Sequence, residues 1–487
     1  MKKLTSVILV LCLAFSALTV CAAQSPVKYA QAHIEMLNYG EFPAENAAVE
    51  IPRLNSAEGA ENTGLKELHE YLRDSIAEMQ QEIDVSSYVI TTDSLLKIFT
   101  ETVNYYPELF HISNRIRYTY SGNYVYSVIP EYVITAEEYA AKIKTYNERI
   151  DYIASGAAPL KTDLEKILYI HNYLVTNFEY DTSYKIYDVY NFLTAGTGVC
   201  QAYTQTFNAL MHRLGIECTS AINNPEGHTW NIVSLDGEFF HIDCTHDDPL
   251  GQSAGSVRYD LFLLSDSSVK SHDSHSGWYT VMYDAVCDST EYENGWVWNN
   301  SSSGVVNSGD KWYYIAEKDE QSSALMSTED FISGTAVDSF NSIYYVYGSS
   351  SSYYPGYYGG ITAAGTTLYY SSPSDIRFYD TVTRQTGVLG IDSDISISSC
   401  RYDGGGILTV FFSKKPNNYD DSGSREVTLF NAGDPDGDGI VTSSDLVSVQ
   451  KYLLTGSLDL NWAVYDVTGN IGIDILDFIR IKKLSAR

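Results

Sequence analysis

The chain has 487 residues, 62 of them acidic and 31 basic, for a formal net charge of -31. One hydrophobic core cannot serve that length, because single cores stop growing near ~250 to 300 residues and longer chains divide into units, here three or four. The charge repels polyanions, which argues against nucleic acid and anionic membrane surfaces as partners, and 44% hydrophobic against 19% charged residues excludes a disordered chain.

Met1-Lys2-Lys3, the apolar run Val7 to Val20 and the small residues Ala22-Ala23 have the layout of a secretory signal peptide. Residues 1–23 are therefore expected to be removed and the mature chain to be secreted. Cys21 would carry the lipid in a lipoprotein reading, but Val20 is bulky where such signals place a small residue. No later segment reaches the ~20 consecutive apolar residues of a membrane helix. Cys12 and Cys21 leave with the signal, so Cys200, Cys218, Cys244, Cys287 and Cys400 remain. An odd, sparse set is not a disulfide framework, and at least one thiol must be free.

Residues 24–160 mix helices with a hairpin. Leu65, Leu68, Leu72, Ile76 and Met79 recur at three- and four-residue steps, one apolar helical face. Ile116, Tyr118 and Tyr120 alternate, Ser121-Gly122-Asn123 turns the chain, and Tyr124, Tyr126 and Val128 return. Thr135 with Glu138 and Thr162 with Glu165 have capping-box spacing, each ahead of an apolar stripe.

Residues 161–294 hold the chemical signals. Gly198-Val199-Cys200 precedes Tyr203, Phe207, Leu210, Met211 and Leu214, so Cys200 is expected to open a buried helix. There the helix dipole and a nearby imidazolium would both favour the nucleophilic thiolate. Glu217 to Ile222, Thr229 to Leu235 and Glu238 to Thr245 read as strands, with Asp236-Gly237 the tight turn between the last two. Leu235 then opposes Glu238, residue 230 opposes 243, and His228 lies two residues from that pairing. An aspartate diagonal to a histidine can orient its imidazole. Cys218 and Cys244 alternate into strands as core residues. His272 and His275 lack the matched carboxylate or cysteine spacing of a metal site.

From Lys161 to Asp248 the sequence resembles the transglutaminase-like superfamily, through Tyr180-Asp181, Gly198-Val199-Cys200, His228-Thr229-Trp230-Asn231 and Asp243. The resemblance implies a papain-related fold with Cys200 as nucleophile, His228 as general base and acid, and Asp243 as its orienter. It also implies attack of the thiolate on an amide carbonyl of a protein or peptide substrate. The acyl-thioester then passes to water, as in a protease or amidase, or to an amine, as in a cross-linking transglutaminase. The backbone N–H of Cys200 is the expected oxyanion donor. His246 departs from the family, where relatives often carry an aromatic residue.

Residues 295–430 alternate short aromatic strands with Ser/Gly turns: Trp312-Tyr313-Tyr314, Tyr344-Tyr345 and Tyr369-Tyr370. A β-rich domain of irregular repeats is expected, either propeller-like or a sandwich, its tyrosines either core or a platform for sugars.

Residues 431–487 carry two calcium-loop patterns thirty-two residues apart. Asp434, Asp436, Asp438, the Ile440 carbonyl, Thr442 and Asp445 form the first, with Gly439 at the sharp turn. Asp466, Thr468, Asn470, the Gly472 carbonyl, Asp474 and Asp477 form the second, where Ile471 replaces the glycine and one carboxylate fewer predicts weaker calcium binding. Each leads into an apolar helix. The duplicated loop-helix resembles a type I dockerin, which implies a small all-α, EF-hand-like module and a cohesin partner on a cellulosome-type scaffold, contacted through Ser443, Ser444, Ile475 and Leu476. The chain as a whole reads as an α+β multidomain enzyme of a polysaccharide-degrading assembly, with a catalytically silent binding component as the rival reading.

Overall fold

The computed structural model describes residues 28–33, 60–249, 256–344, 352–353, 359–390, 395–414, 422–430, 432–434, 441–455, 462–467 and 475–485. The expected signal, residues 1–23, lies outside them. Two compact units are present, one from residues 28–33, 60–103 and 111–136, the other from residues 104–110 and 137–485.

In the first unit, β1 (Lys28–His33), β2 (Ile83–Asp84), β3 (Ile112–Ser121) and β4 (Tyr124–Tyr132) form an antiparallel sheet of order β1-β3-β4-β2. Ser121 pairs with Tyr124, so Gly122-Asn123 is the hairpin turn that the alternation predicts, and Gly122 takes a positive φ of 60° there. Helix α1 (Ala60–Ala77) buries Leu68, Leu72 and Ile76, the core of its expected apolar face, and α2 follows at Thr92–Tyr105.

In the second unit, the run from residue 137 begins with α3 (Ala136–Ala157) and α4 (Asp163–Asn177). Thr162 Oγ1 accepts the Glu165 N–H at 3.2 Å, and the Glu165 carboxylate accepts the Thr162 N–H at 2.8 Å, which is the predicted capping box. Glu165 also accepts Trp312 Nε1–H at 3.2 Å, so the cap ties α4 to a strand far along the chain. Thr162→Ala is expected to lower stability by about 1 kcal/mol in urea unfolding followed by tryptophan fluorescence. An unchanged midpoint would show that the cap adds nothing.

Next come β5 (Glu179–Tyr180), α5 (Val189–Ala195), β6 (Thr197–Gly198) and α6 (Cys200–Arg213). At Gly198 a Cβ would lie 2.5 Å from the Phe192 ring and 2.8 Å from Ala202, so only glycine lets the chain pass between α5 and α6 just ahead of Cys200. Helix α6 packs on a five-stranded antiparallel sheet of order β10-β9-β8-β7-β11, built from β7 (Cys218–Asn223), β8 (His228–Leu235), β9 (Glu238–Ile242), β10 (Phe262–Leu264) and β11 (Tyr279–Thr280). Asp236 and Gly237 both have positive φ, 53° and 87°, and Leu235 pairs with Glu238 as the two-residue turn requires. The third strand is shorter than expected. It ends at Ile242, and Asp243 caps a helical turn, α7 (Cys244–Asp247), instead of continuing to Thr245.

Every residue of α6 from Gln201 to Met211 is buried, the polar ones included. Thr204 Oγ1 donates to the Thr229 carbonyl at 3.0 Å, Asn208 Nδ2 to Ser220 Oγ at 2.8 Å, and Asn231 Nδ2 to Asn208 Oδ1 at 2.8 Å. The face of α6 opposite its apolar stripe is thus bolted to β7 and β8 by satisfied hydrogen bonds, because a buried polar group left unpaired is costly. These bolts set Cys200 beside the start of β8.

Between Val306 and Thr428 the described strands form successive antiparallel meanders: β12 (Val306–Ser308) to β15 (Thr335–Asn341), β18 (Ile361–Ala364) to β21 (Thr386–Leu389), and β22 (Ile395–Gly404) to β24 (Ser422–Thr428), with the pair β16 (Ile343–Tyr344) and β17 (Ser352–Tyr353) between the first two. Tyr313, Tyr314, Tyr369 and Tyr370 are buried. Of the two readings, these four are core and offer no sugar platform. Tyr345 lies outside the described residues. At the C-terminus, α9 (Ser443–Thr455) and α10 (Ile475–Leu484) enclose a small core of Val449, Tyr465 and Ile481.

Candidate active site

Cys200, His228 and Asp243, read from the sequence in that order, come together. Cys200 opens α6 and His228 opens β8, and both line one pocket with Tyr187, Val199, Asn223 and Thr229. His228 Nε2 lies 2.6 Å from Asp243 Oδ2. A carboxylate only accepts, so Nε2 carries the proton, and Nδ1 is the nitrogen left with a lone pair. Asp243 is 1% exposed and His228 9%. Burial alone would raise the Asp243 carboxyl, but electrostatic attraction and a hydrogen bond from His228, joined by His246 and His275, hold it well below the usual range.

The thiol departs from expectation. Burial pushes Cys200 up to about 11 and the Asp243 charge adds to this, against the backbone N–H groups of Thr229, Gln201 and Cys200, which favour the thiolate. Val199 at the N-cap has no side chain to take those N–H groups, which leaves the helix N-terminus to the sulfur. The proton therefore stays on sulfur until a base removes it. Cys200 is nevertheless the one cysteine of the described residues that keeps a partly exposed surface; Cys218, Cys244, Cys287 and Cys400 are buried, and all five are free.

The loop over the pocket is organised by Asp181, singled out in the sequence only through resemblance. Its carboxylate accepts from the Ser183 hydroxyl at 2.5 Å and from the backbone N–H groups of Ser183, Lys185 and Ile186 at 2.9, 2.7 and 3.0 Å, and these bonds bring it down to about 2 although burial opposes them. Tyr187 on that loop then faces Cys200 across the pocket. Asp247, which ends α7, and the adjoining Asp248 are both buried. Asp247 is buried against His171 at 2.9 Å, and Asp248 accepts from Tyr203 at 2.5 Å, anchoring the segment to α4 and α6.

Sequence reasoning set His275 aside for want of matched ligand spacing, yet the fold brings it to Asp243. It is 0% exposed and its Nε2 lies 2.9 Å from Asp243 Oδ2, while His246 Nδ1 lies 2.8 Å from the same oxygen. Asn223 Nδ2 donates to the Ser274 and Ser276 carbonyls at 3.0 and 2.7 Å, which pins the His275 loop to the end of β7. A short-range signal existed only in hindsight of the fold, since His275 lies thirty-two residues from Asp243.

In the C-terminal module Asp434, Asp445, Asp466 and Asp477, the first and last carboxylates of the two loops, are all buried. Asp445 Oδ2 accepts the Thr442 N–H at 2.6 Å, while Oδ1 is buried with no hydrogen-bond partner among the described residues. Buried carboxylates need compensating charge, and an orphaned carboxylate oxygen at the twelfth loop position is what a calcium ligand leaves, so these residues fit the ion. Asp436, Asp438, Ile440, Thr468, Asn470, Gly472 and Asp474 lie outside the described residues. Ser443 and Ser444 are exposed at the start of α9, and Ile475 and Leu476 begin α10.

Residues 150–244 match the family described as the transglutaminase-like superfamily, and residues 432–484 match the type I dockerin domain. No curated protein matches the chain. Among solved structures it is similar to a TGase at 19% identity over 23% of this chain and 34% of that one, TM-score 0.20. It is also similar to a "Putative Cysteine Protease from Cytophaga hutchinsonii" at 14% identity over 28% and 58%, TM-score 0.18. The chain thus spans less than two thirds of the length of either. No described helix is long and apolar enough to cross a membrane. The chain carries a transglutaminase-like core over residues 150–244 and a type I dockerin domain over residues 432–484.

Proposed function

We propose that this protein is a secreted, scaffold-docked cysteine hydrolase that cleaves amide or peptide bonds through Cys200, His228 and Asp243. The observation that carries the reading is the 2.6 Å contact between His228 and Asp243 in the pocket that holds Cys200 at a helix N-terminus. His228 Nδ1 takes the thiol proton as sulfur attacks the carbonyl, Asp243 holds the imidazole by accepting its Nε2–H, and the N–H groups at the start of α6 face the developing oxyanion. His228 returns the proton to the leaving amine, and water then releases the acyl group from the thioester. The transglutaminase-like core occupies residues 161–294, with 24–160 as its extension, 295–430 as a β-rich domain and 431–487 as the dockerin that binds calcium and a cohesin. The leader, residues 1–23, directs export.

Alkylation of the folded chain with iodoacetamide, mapped peptide by peptide, tests the nucleophile. Cys200 is expected to label at least about 10-fold faster than the four buried cysteines, because thiol reactivity needs access and thiolate. Its rate should climb through the alkaline range, since burial raises the thiol to about 11, and Cys200→Ser should remove the fast site. Labelling of Cys200 no faster than Cys287 and Cys400 would end the thiol-enzyme reading.

A further inference from the structure

Three imidazoles and one carboxylate meet at a point below the pocket. His228 Nε2, His246 Nδ1 and His275 Nε2 lie 2.6, 2.8 and 2.9 Å from the single oxygen Asp243 Oδ2. The three rings stand at 70° to 76° to one another, with centroids 4.7 to 5.1 Å apart, like the walls of a corner. A triad needs one of these histidines. The other two call for a reason.

Hydrogen-bond bookkeeping at His275 supplies one. Its Nδ1 lies 2.6 Å from the Asp273 carbonyl, an acceptor, so Nδ1 carries a proton. In the neutral ring Nε2 then has only a lone pair, aimed at a carboxylate oxygen. Two acceptors facing at 2.9 Å need positive charge between them, supplied either by a second ring proton or by a bound metal ion. An N–H given to a backbone carbonyl, with the opposite nitrogen turned to a carboxylate and two further imidazoles, is the usual dress of a metal-binding histidine.

We propose that His228, His246, His275 and Asp243 form a binding site for a divalent cation of the zinc class, distinct from the calcium loops. Nitrogen-rich N3O coordination suits zinc and not calcium or magnesium, which take oxygen. The four ligand atoms lie within 4.8 Å of one another. Ligands about 2.0 to 2.1 Å from a tetrahedral ion stand about 3.3 Å apart, so the three nitrogens would draw back from Asp243 Oδ2 by roughly half an ångström on loading. His246, with 42% of its side chain exposed, is the member that solvent reaches and gives the ion its entry. A second group, His241, Asp266 and Cys287, is close-set in the same way but carries no such site. There Trp230 Nε1–H occupies the His241 Nδ1 lone pair at 2.9 Å, so Nε2 must hold the proton that it gives to Asp266.

The metal site stands on geometry alone, while its consequence rests on the thiol reading. A His228 ring that binds metal through Nε2 carries its one proton on Nδ1, the nitrogen that the thiol needs as base. The metal-loaded form is therefore switched off, and removal of the ion restores the triad.

The test uses the full chain saturated with calcium, so that the C-terminal loops are filled, and zinc chloride titrated against a chromogenic chelator at pH 7.5. One zinc per chain with a Kd near or below about 1 µM is expected, weakened at least about 100-fold in His246→Phe and unchanged in Cys200→Ala. The exposed position of His246 lets its variant fold, which a native unfolding midpoint checks. Zinc binding no tighter than about 100 µM, equal binding by His246→Phe, or loss of binding in Cys200→Ala would each overturn the site. Because the readout is binding, failure of the metal site is separable from failure of the thiol reading, which alkylation of Cys200 reports by itself.

Discussion

Asp243→Asn is expected to cost about 3 to 5 kcal/mol of stability and, with the triad assigned above, about 10⁴-fold in turnover. Asp243 Oδ2 receives three ring nitrogens and Oδ1 receives the backbone N–H groups of Thr245 and His246 at 2.8 and 3.3 Å. An amide of the same shape must turn either its oxygen or its NH2 toward the imidazoles. With NH2 inward it faces the His228 Nε2–H donor; with oxygen inward it turns NH2 on the two backbone donors. Either way buried donors lose their partner, and the negative charge that offsets the histidines is gone. Measured by urea unfolding, a loss under about 1 kcal/mol would show that the network is not closed around Asp243.

The pH dependence of that loss has a defined sign. Asp243 is depressed in the folded chain, so its contribution is complete above the unfolded value of ~3.9 and fades as pH falls further. His246 is raised, chiefly by its hydrogen bond to Asp243, so its contribution is complete below ~6.5 and fades as pH rises through the higher folded value. Native and variant chains should therefore differ most between about pH 4 and 6.5. A difference that grows steadily into the alkaline range would contradict the pairing of His246 with Asp243.

Calcium removal is the second large effect. The described core of the C-terminal module is small, with Val449, Tyr465 and Ile481 buried and Val441, Leu446, Val467 and Phe478 packed around them. Against it stand four buried carboxylates, Asp434, Asp445, Asp466 and Asp477. A core of that size cannot carry such charge burial without a staple. At calcium about 1,000-fold above its dissociation constant each site adds about 4 kcal/mol, so withdrawing two ions should unfold the module. The expected result in EGTA is rapid proteolysis confined to residues 432–484, with loss of cohesin capture, while the fragment holding Cys200 survives. Asp445→Ala should reproduce most of the effect at the first loop. The second loop, with Ile471 where a glycine is expected, should fill last in a calcium titration. An unchanged digest in EGTA would remove calcium from the account of this module.

Much of the site was legible in the chain itself, and the reason is locality. Asp236-Gly237 allows one two-residue turn, and that turn sets a register in which pairing Leu235 with Glu238 carries through to Asn231 with Ile242. Cys200 at a helix start and the Thr162–Glu165 cap follow likewise from patterns a few residues long. Other features had no local mark. Asn208 and Thr204 are polar residues with no sequence mark of burial, yet the packing of α6 onto β7 and β8 buries them, and their hydrogen bonds place Cys200. Asp243 leaves the strand because its carboxylate caps α7. His246 is set three residues from Asp243 and His275 thirty-two, joined only where the pinned loop after α8 (Asp266–Val269) returns to the sheet. Periodicity and turn chemistry report on neighbours in sequence, so they determined elements and the register of β8 with β9, while the family resemblance singled out Cys200, His228 and Asp243. The charge environment of those three residues is a sum over groups brought together by packing, and only the tertiary structure could decide it.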